Sequence, residues 1–364
     1  MTGVLTGWTK RARAGTRSQI IMNETPQIPQ GLDRRDVRTF GEMANLVTRF
    51  EQLLARHSIV IERGSDLESV CLNIQDLESR RRKESAISPM EDIRPMWRQS
   101  AGLIEILRML IAADAHNRIQ PFIPHLRLMN HSPGAQNVKS VVFDEDSNKL
   151  FEMLVGLSCV QFSDDVVLDD PELAQGDNPD VLFSSEGIKW GIACKVVNGQ
   201  SPLTMFERID DGVRQIEASA ASKGFVLLCL KNIIDHEFAW PLLNTEKWQK
   251  GEEEPIFGAF RDQEASRVRE YLLELAATKT QDLLTANGLV AVSGLFEGTR
   301  VLPGIGFFLQ TTASVSLPDG RPMVTTVGVL HWTTFGVLAA HDRSLLNTIS
   351  ESLHHRVWTD DTGQ

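Results

Sequence analysis

No run of about 18 or more uncharged apolar residues occurs anywhere in the chain, so no membrane-spanning helix is expected. Cysteine is scarce: 4 residues in 364, namely Cys71, Cys159, Cys194 and Cys229, none of them in a C-x-x-C pair. Three lie in apolar runs and read as buried free thiols of a reducing cytoplasm, not as a disulfide framework or a zinc site. Basic charge is in deficit, with 37 Lys and Arg against 48 Asp and Glu and a net charge of −11. The chain as a whole therefore lacks the continuous basic face of a protein that grips a long duplex by its phosphates. H-E-x-x-H spacing, a G-K-[ST] phosphate loop and a G-x-S-x-G elbow are all missing. The glycine-rich "GTRVLPGIGFF" leads into a strand pattern, which argues against a phosphate role. There is no internal repeat or low-complexity tract. The early basic residues Lys10, Arg11, Arg13 and Arg17 are not followed by an apolar segment, which speaks against a secretory signal; the cytoplasm is the expected location.

What is present suffices for a core. Hydrophobic residues make up 42% and charged residues 23%, ordinary for a globular protein, and the length suits two domains or one elaborated domain. Residues 1–34 read as an irregular tail. Residues 35–120 follow a helical period: "FGEMANLVTRFEQLLARH" sets Phe40, Met43, Leu46, Val47, Phe50, Leu53 and Leu54 on one stripe. Ser65 and Glu68 occupy capping-box positions before a second helix, and "MWRQSAGLIEILRMLIAADAH" is a third. Pro121, Pro124 and "NHSPGAQN" break the pattern and place a boundary at 120–140. Basic residues cluster in "RARAGTR", "DRRDVR" and "ESRRRKE", either as a tail and solvated helix face or as a phosphate-contacting arm. The N-terminal helices are candidates for docking a protein partner or a second copy of the chain.

From residue 140 to 364 the pattern alternates. "NKLFEMLVGLSCVQF" reads as an amphipathic helix, "DVLFS" and "KWGIACKVV" as strands joined by a short polar turn, "PLTMFERIDDGVRQIEASAAS" as a helix with Phe206, Ile209, Val213 and Ile216 on its apolar face, and "GFVLLCL" as a buried strand. A long helix over 262–285 and a strand-rich extension follow, with "PDGRP" as a hairpin turn and "DRSLLNTISESLHHR" as a closing helix. The fold expected is α/β: a mixed sheet flanked by helices, with an α-helical N-terminal region. The tryptophans of "MWRQ" and "FAWPLL" are expected in the core, not as base-stacking platforms.

The order of a helix bearing Glu152, the "PD" of Pro179-Asp180 opening one strand, Lys195 closing the next, and a helix carrying Gln215 resembles the PD-(D/E)xK, or restriction-endonuclease-like, nuclease superfamily. The resemblance covers residues 145–235. It implies a metal-dependent phosphodiesterase acting on DNA or RNA, in bacterial defence or repair. Mg²⁺ or Mn²⁺ would be held by carboxylates and would polarise the phosphate and lower the pKa of an attacking water. Asp180 would be the first metal ligand, the main-chain carbonyl of Cys194 another, and Lys195 would orient water and steady charge, with Gln215 beside it. The chain departs from the family at Ala193, where the second acid should stand two residues before the lysine, on the same side of the strand. Glu152 is the candidate to supply the missing ligand, with Glu217 the second. The alternative is a nuclease fold without catalysis, serving as a binding or assembly module. On their own terms Asp180 reads equally as a turn acid, Lys195 as an edge-strand lysine, and Gln215 and Glu152 as polar helix faces. Nucleic acid, if bound, would meet a local basic surface.

Overall fold

The computed structural model describes residues 40–82, 92, 94–132, 134–140, 145–172, 178–241, 265–316 and 322–355. The expected tail over 1–34, the basic stretches at 11–17 and 33–38, the end of the third basic stretch beyond Arg82, and turn positions 318–321 lie outside these residues.

The helical region forms as its periodicity requires. Helix α1 (Phe40–Arg56) buries Met43, Val47, Phe50, Leu53 and Leu54 of the expected stripe, with Leu46 half-buried beside them. Helix α2 (Asp66–Arg82) starts on Ser65, whose Oγ accepts the Glu68 amide at 3.1 Å. The Glu68 carboxylate reaches back to the Gly64 amide at 2.6 Å, so the capping box closes one residue further out than its simplest form. Helix α3 (Arg94–Ala115) is buried along most of its length, including Trp97, Leu103, Ile104, Leu107 and Leu110. A helix apolar on so many sides belongs inside the molecule. It lies so close to the segment after α4 (Ile123–Leu128) that a Cβ on Gly102 would fall 2.1 Å from Asn137 Oδ1. The Asn137 amide nitrogen donates to the Arg98 carbonyl at 2.7 Å and to Thr312 Oγ1 at 2.6 Å, stitching α3 to the sheet.

The sheet has six strands in chain order, β1 (Val167–Leu168), β2 (Val181–Ser185), β3 (Ile188–Val196), β4 (Lys223–Cys229), β5 (Val301–Ser316) and β6 (Pro322–Thr334). The β3–β4 and β4–β5 pairs are parallel and the others antiparallel. The polar turn between β2 and β3 is Glu186-Gly187, with φ of +49° and +76°, flanked by the pair Ser185↔Ile188. Two central residues with positive φ match the twist of a hairpin, and glycine makes the second one easy. Helix α5 (Glu145–Cys159) precedes β1, and α6 (Pro202–Ala218) crosses over between β3 and β4. Ser201 caps α6 at the Thr204 amide, 3.4 Å, with Pro202 in the first turn. A short α7 (His236–Ala239), a long α8 (Ala265–Asn287), a short α9 (Leu289–Gly294) and α10 (Ala340–His355) complete the described elements.

Helices cover both faces of this mixed α/β sheet. On one face α6 and α8 enclose Ala193, Val226, Leu228, Ile209, Val213 and Leu272. On the other, α5 lies over Phe183, Trp190, Ile192 and Phe225. The α5 pattern predicts an amphipathic helix, but Leu150 through Cys159 are all buried, because α3 and α10 close over its outer side. Phe122, Leu126 and Met129, at the place where the sequence breaks its helical period, belong to the same continuous core as α1, α3 and the sheet. The four cysteines are free and buried, and Trp97 and Trp240 pack in the interior. Among the described residues no helix is long and apolar enough to cross a membrane.

Candidate functional site

β3 and β4 run parallel, so their carboxyl ends share one edge, and the antiparallel β2 brings its amino end to the same place. In open α/β sheets that edge is where ligands bind. Val181↔Ile192 is the last pair of the β2–β3 ladder, which leaves Asp180 opposite Ala193. The Asp180 carboxylate continues the ladder with its side chain: Oδ2 accepts the Cys194 amide at 2.6 Å, while its main-chain oxygen accepts the Asp169 amide at 3.1 Å. At 4% exposure, Asp180 is thus fixed from both neighbouring strands. A strand residue directs its N–H and C=O to the same edge, so the Cys194 carbonyl leaves β3 on the Asp180 side.

Side chains alternate along β3. Cys194 packs with the core beneath α5, and Ala193 with the core beneath α6. Lys195, on the Ala193 side and beyond the packed region, bends over the strand end. Its Nζ lies 3.7 Å from Asp180 Oδ2 and donates to Gln215 Oε1 on α6. Glu152 approaches from α5 and is 5% exposed. Burial first, and the Asp180 charge second, hold its carboxyl well above the usual carboxylate range, while Lys149 and Lys195 pull the other way. The buried Cys194 thiol is pushed up by burial and then by the same two carboxylates. Asp180 is therefore in contact with Lys195 and within electrostatic reach of Glu152. Glu217 is occupied elsewhere, accepting the Arg300 amide at 2.5 Å just before β5.

Lys149 is the residue that sequence reasoning passed over. Its Nζ donates to Glu152 Oε2 at 3.0 Å. Burial lowers its proton affinity, but Glu152, Asp180 and Asp169 together outweigh this and leave it raised. The signal was available, since a lysine three residues before a glutamate on a helix lies beside it. Lys149 also acts on the fully buried His125, whose imidazole is pushed down to about 4 by burial first and the Lys149 charge second, so it is neutral.

The alanine at 193 has a packing cause. A Cβ on Gly212 of α6 would lie 3.1 Å from Ala193 Cβ and 3.0 Å from Val226 Cγ2, so the helix rests directly on this position. Ala193→Glu is expected to lower stability by about 1–3 kcal/mol through overpacking alone, read as a reduced urea midpoint with an unchanged slope. An unchanged midpoint would mean that the space over residue 193 is open.

Among the described residues no group of three or more His, Cys, Asp or Glu side chains is placed to hold a metal ion. The donors here are the carboxylates of Asp180 and Glu152, with the Cys194 carbonyl on the same edge. That hard oxygen set fits Mg²⁺ or Mn²⁺, since Mg²⁺ takes one or two carboxylates and keeps several waters. The raised Glu152 carboxyl, beside a second acid, is chemically what an added cation would relieve. No protein-family model, curated protein or solved structure matches this chain.

Proposed function

We propose that this chain is a metal-dependent phosphodiesterase of the PD-(D/E)xK kind that acts on nucleic acid, with Glu152 in the part of the acid absent at Ala193. The observation that carries the reading is the contact of Lys195 with both Asp180 and Gln215 at one sheet edge, with the buried Glu152 of α5 within electrostatic reach of Asp180 and Lys195. The order α5, β1, β2, β3, α6, β4, with β3 and β4 parallel, agrees with a restriction-endonuclease-like core. Mg²⁺ or Mn²⁺, when bound, would polarise the scissile phosphate and lower the pKa of a water.

The chain's own residues divide the remaining tasks. Asp180, pinned by the Cys194 amide, presents a carboxylate that needs no reorganisation. Gln215 holds the Lys195 amine by its amide oxygen, leaving the other ammonium protons for a phosphate oxygen or an attacking water. Glu152, buried and close to Asp180, completes a paired acid. Bacterial defence or repair is the setting this family suggests, and DNA or RNA the substrate. A second reading, a non-cutting binding module, is favoured by the pairing of each acid with a lysine, which balances the site without a metal.

Incubation of the protein with single- and double-stranded DNA and with RNA, in Mg²⁺ or Mn²⁺, tests the proposal. Cleavage is expected from wild type, and Lys195→Ala should lower its rate by about 10²–10³-fold. Retention of nucleic acid without cutting, weakening steeply with salt, would favour the binding module instead.

A further inference from the structure

The site contains more cations than a metal centre needs. With both carboxyls ionised, Asp180 and Glu152 contribute two negative charges and Lys195 and Lys149 two positive ones, so the four side chains sum to zero. Lys195 is held between Gln215 and Asp180, its side chain 13% exposed. Lys149 is held by Glu152 at 3.0 Å, and its side chain is 21% exposed, against 6% for Glu152. It therefore has solvent within reach, while the acid it covers does not. A divalent ion placed on both acids with both amines still in position would give a pocket of charge +2 where the acids are nearly dry. Like charges separated by a few ångströms repel far more strongly in such surroundings than in water.

We propose that Lys149 is a built-in counter-cation. It occupies the Glu152 carboxylate when the site is empty and moves toward solvent when a divalent ion binds, so that metal binds weakly alone and more tightly once a phosphodiester brings its negative charge. This rests on the metal-site reading given above. The coupling is reciprocal, because each ligand offsets the excess charge that the other meets. His125, within electrostatic reach of Lys149, is neutral and offers no competing anion, whereas Asp169 lies within electrostatic reach of the departing ammonium. Lys149 is thus a positioning residue for Glu152, not a group that touches the reacting atoms.

The test is Mn²⁺ titration of the full chain without nucleic acid, followed through the electron paramagnetic resonance signal of free Mn²⁺. Lys149→Met keeps the alkyl stem and removes the charge, and it should bind Mn²⁺ at least about tenfold more tightly than wild type. Lys149→Gln should do the same, and provides a second neutral variant if the methionine disturbs folding. Lys149→Arg keeps the charge and should remain as weak as wild type. Neutral variants that bind no better than wild type, while Asp180→Asn still abolishes binding, would end the counter-cation role and leave the metal site standing. An absence of Mn²⁺ binding at millimolar concentration in wild type and both neutral variants would remove the metal site, and this role with it.

Discussion

Glu152→Gln is expected to be more stable than wild type at neutral pH and to lose metal-dependent cleavage by at least about 10²-fold. The stability sign follows from the direction of the shift. The folded protein holds the Glu152 carboxyl above its ordinary value of 4.5, chiefly by burial and then by the Asp180 charge, whereas the unfolded chain keeps the ordinary value. Between those values the native state carries more protons than the unfolded state, so stability falls as pH rises. Above the folded value the whole penalty is present, and glutamine, which does not ionise, escapes it. A tenfold difference in proton affinity corresponds to about 1.4 kcal/mol. The attraction of Lys149 is already contained in that shift, because it pulls the Glu152 carboxyl down while burial and Asp180 raise it further. Urea midpoints measured from pH 4.5 to pH 8 should therefore separate progressively in favour of the variant. A variant less stable than wild type at pH 8 would show that Lys149 and Lys195 already compensate the buried charge.

The second large effect lies away from the site. Gly102→Ala is expected to destabilise the protein by about 3 kcal/mol: overpacking contributes about 1–3 kcal/mol, and disturbance of buried hydrogen bonds a comparable amount. The new Cβ would meet Asn137 Oδ1 at 2.1 Å and Ala135 Cβ at 2.8 Å, in a region with no exposed space. Moving Asn137 breaks its bonds to the Arg98 carbonyl and Thr312, which join α3 to β5. Thermal melting should shift by several degrees, and any cleavage by the folded variant should stay near wild type. A melting temperature equal to wild type would mean that Asn137 has another place to go.

Local chemistry made much of this fold legible from the chain alone. The Ser-Pro start of α6, the Glu-Gly turn between β2 and β3 and the stripe of α1 are each set by residues within a few positions of one another. The meeting of Asp180 with Lys195 also follows from a short connection, because a two-residue turn fixes the register of both strands. Burial was harder. The α5 pattern leaves Asn148, Lys149 and Glu152 as an apparent polar side, yet Glu152 is buried, in a helix against which α3 and α10 pack from opposite ends of the chain. The residues "GLVAVSG" have too short an apolar run to distinguish strand from helix by period, and they form α9 after the positive φ of Gly288 turns the chain. The significance of Ala193 was visible as a missing acid, but its cause, Gly212 pressing on the sheet, is a contact across 19 residues that no spacing rule reports.

The joined interior of the helices and the sheet limits how anything could dock on the amino-terminal half. Trp97, Ile104 and Leu107 of α3 are already in the core that also contains Phe151 and Phe308. A visiting helix could reach that interior only by evicting α3, and eviction would strip the cover from α5, which carries Glu152, and from β5 and β6. Recognition through this half of the molecule is therefore confined to its outer skin, and anything that pries deeper disarms the site.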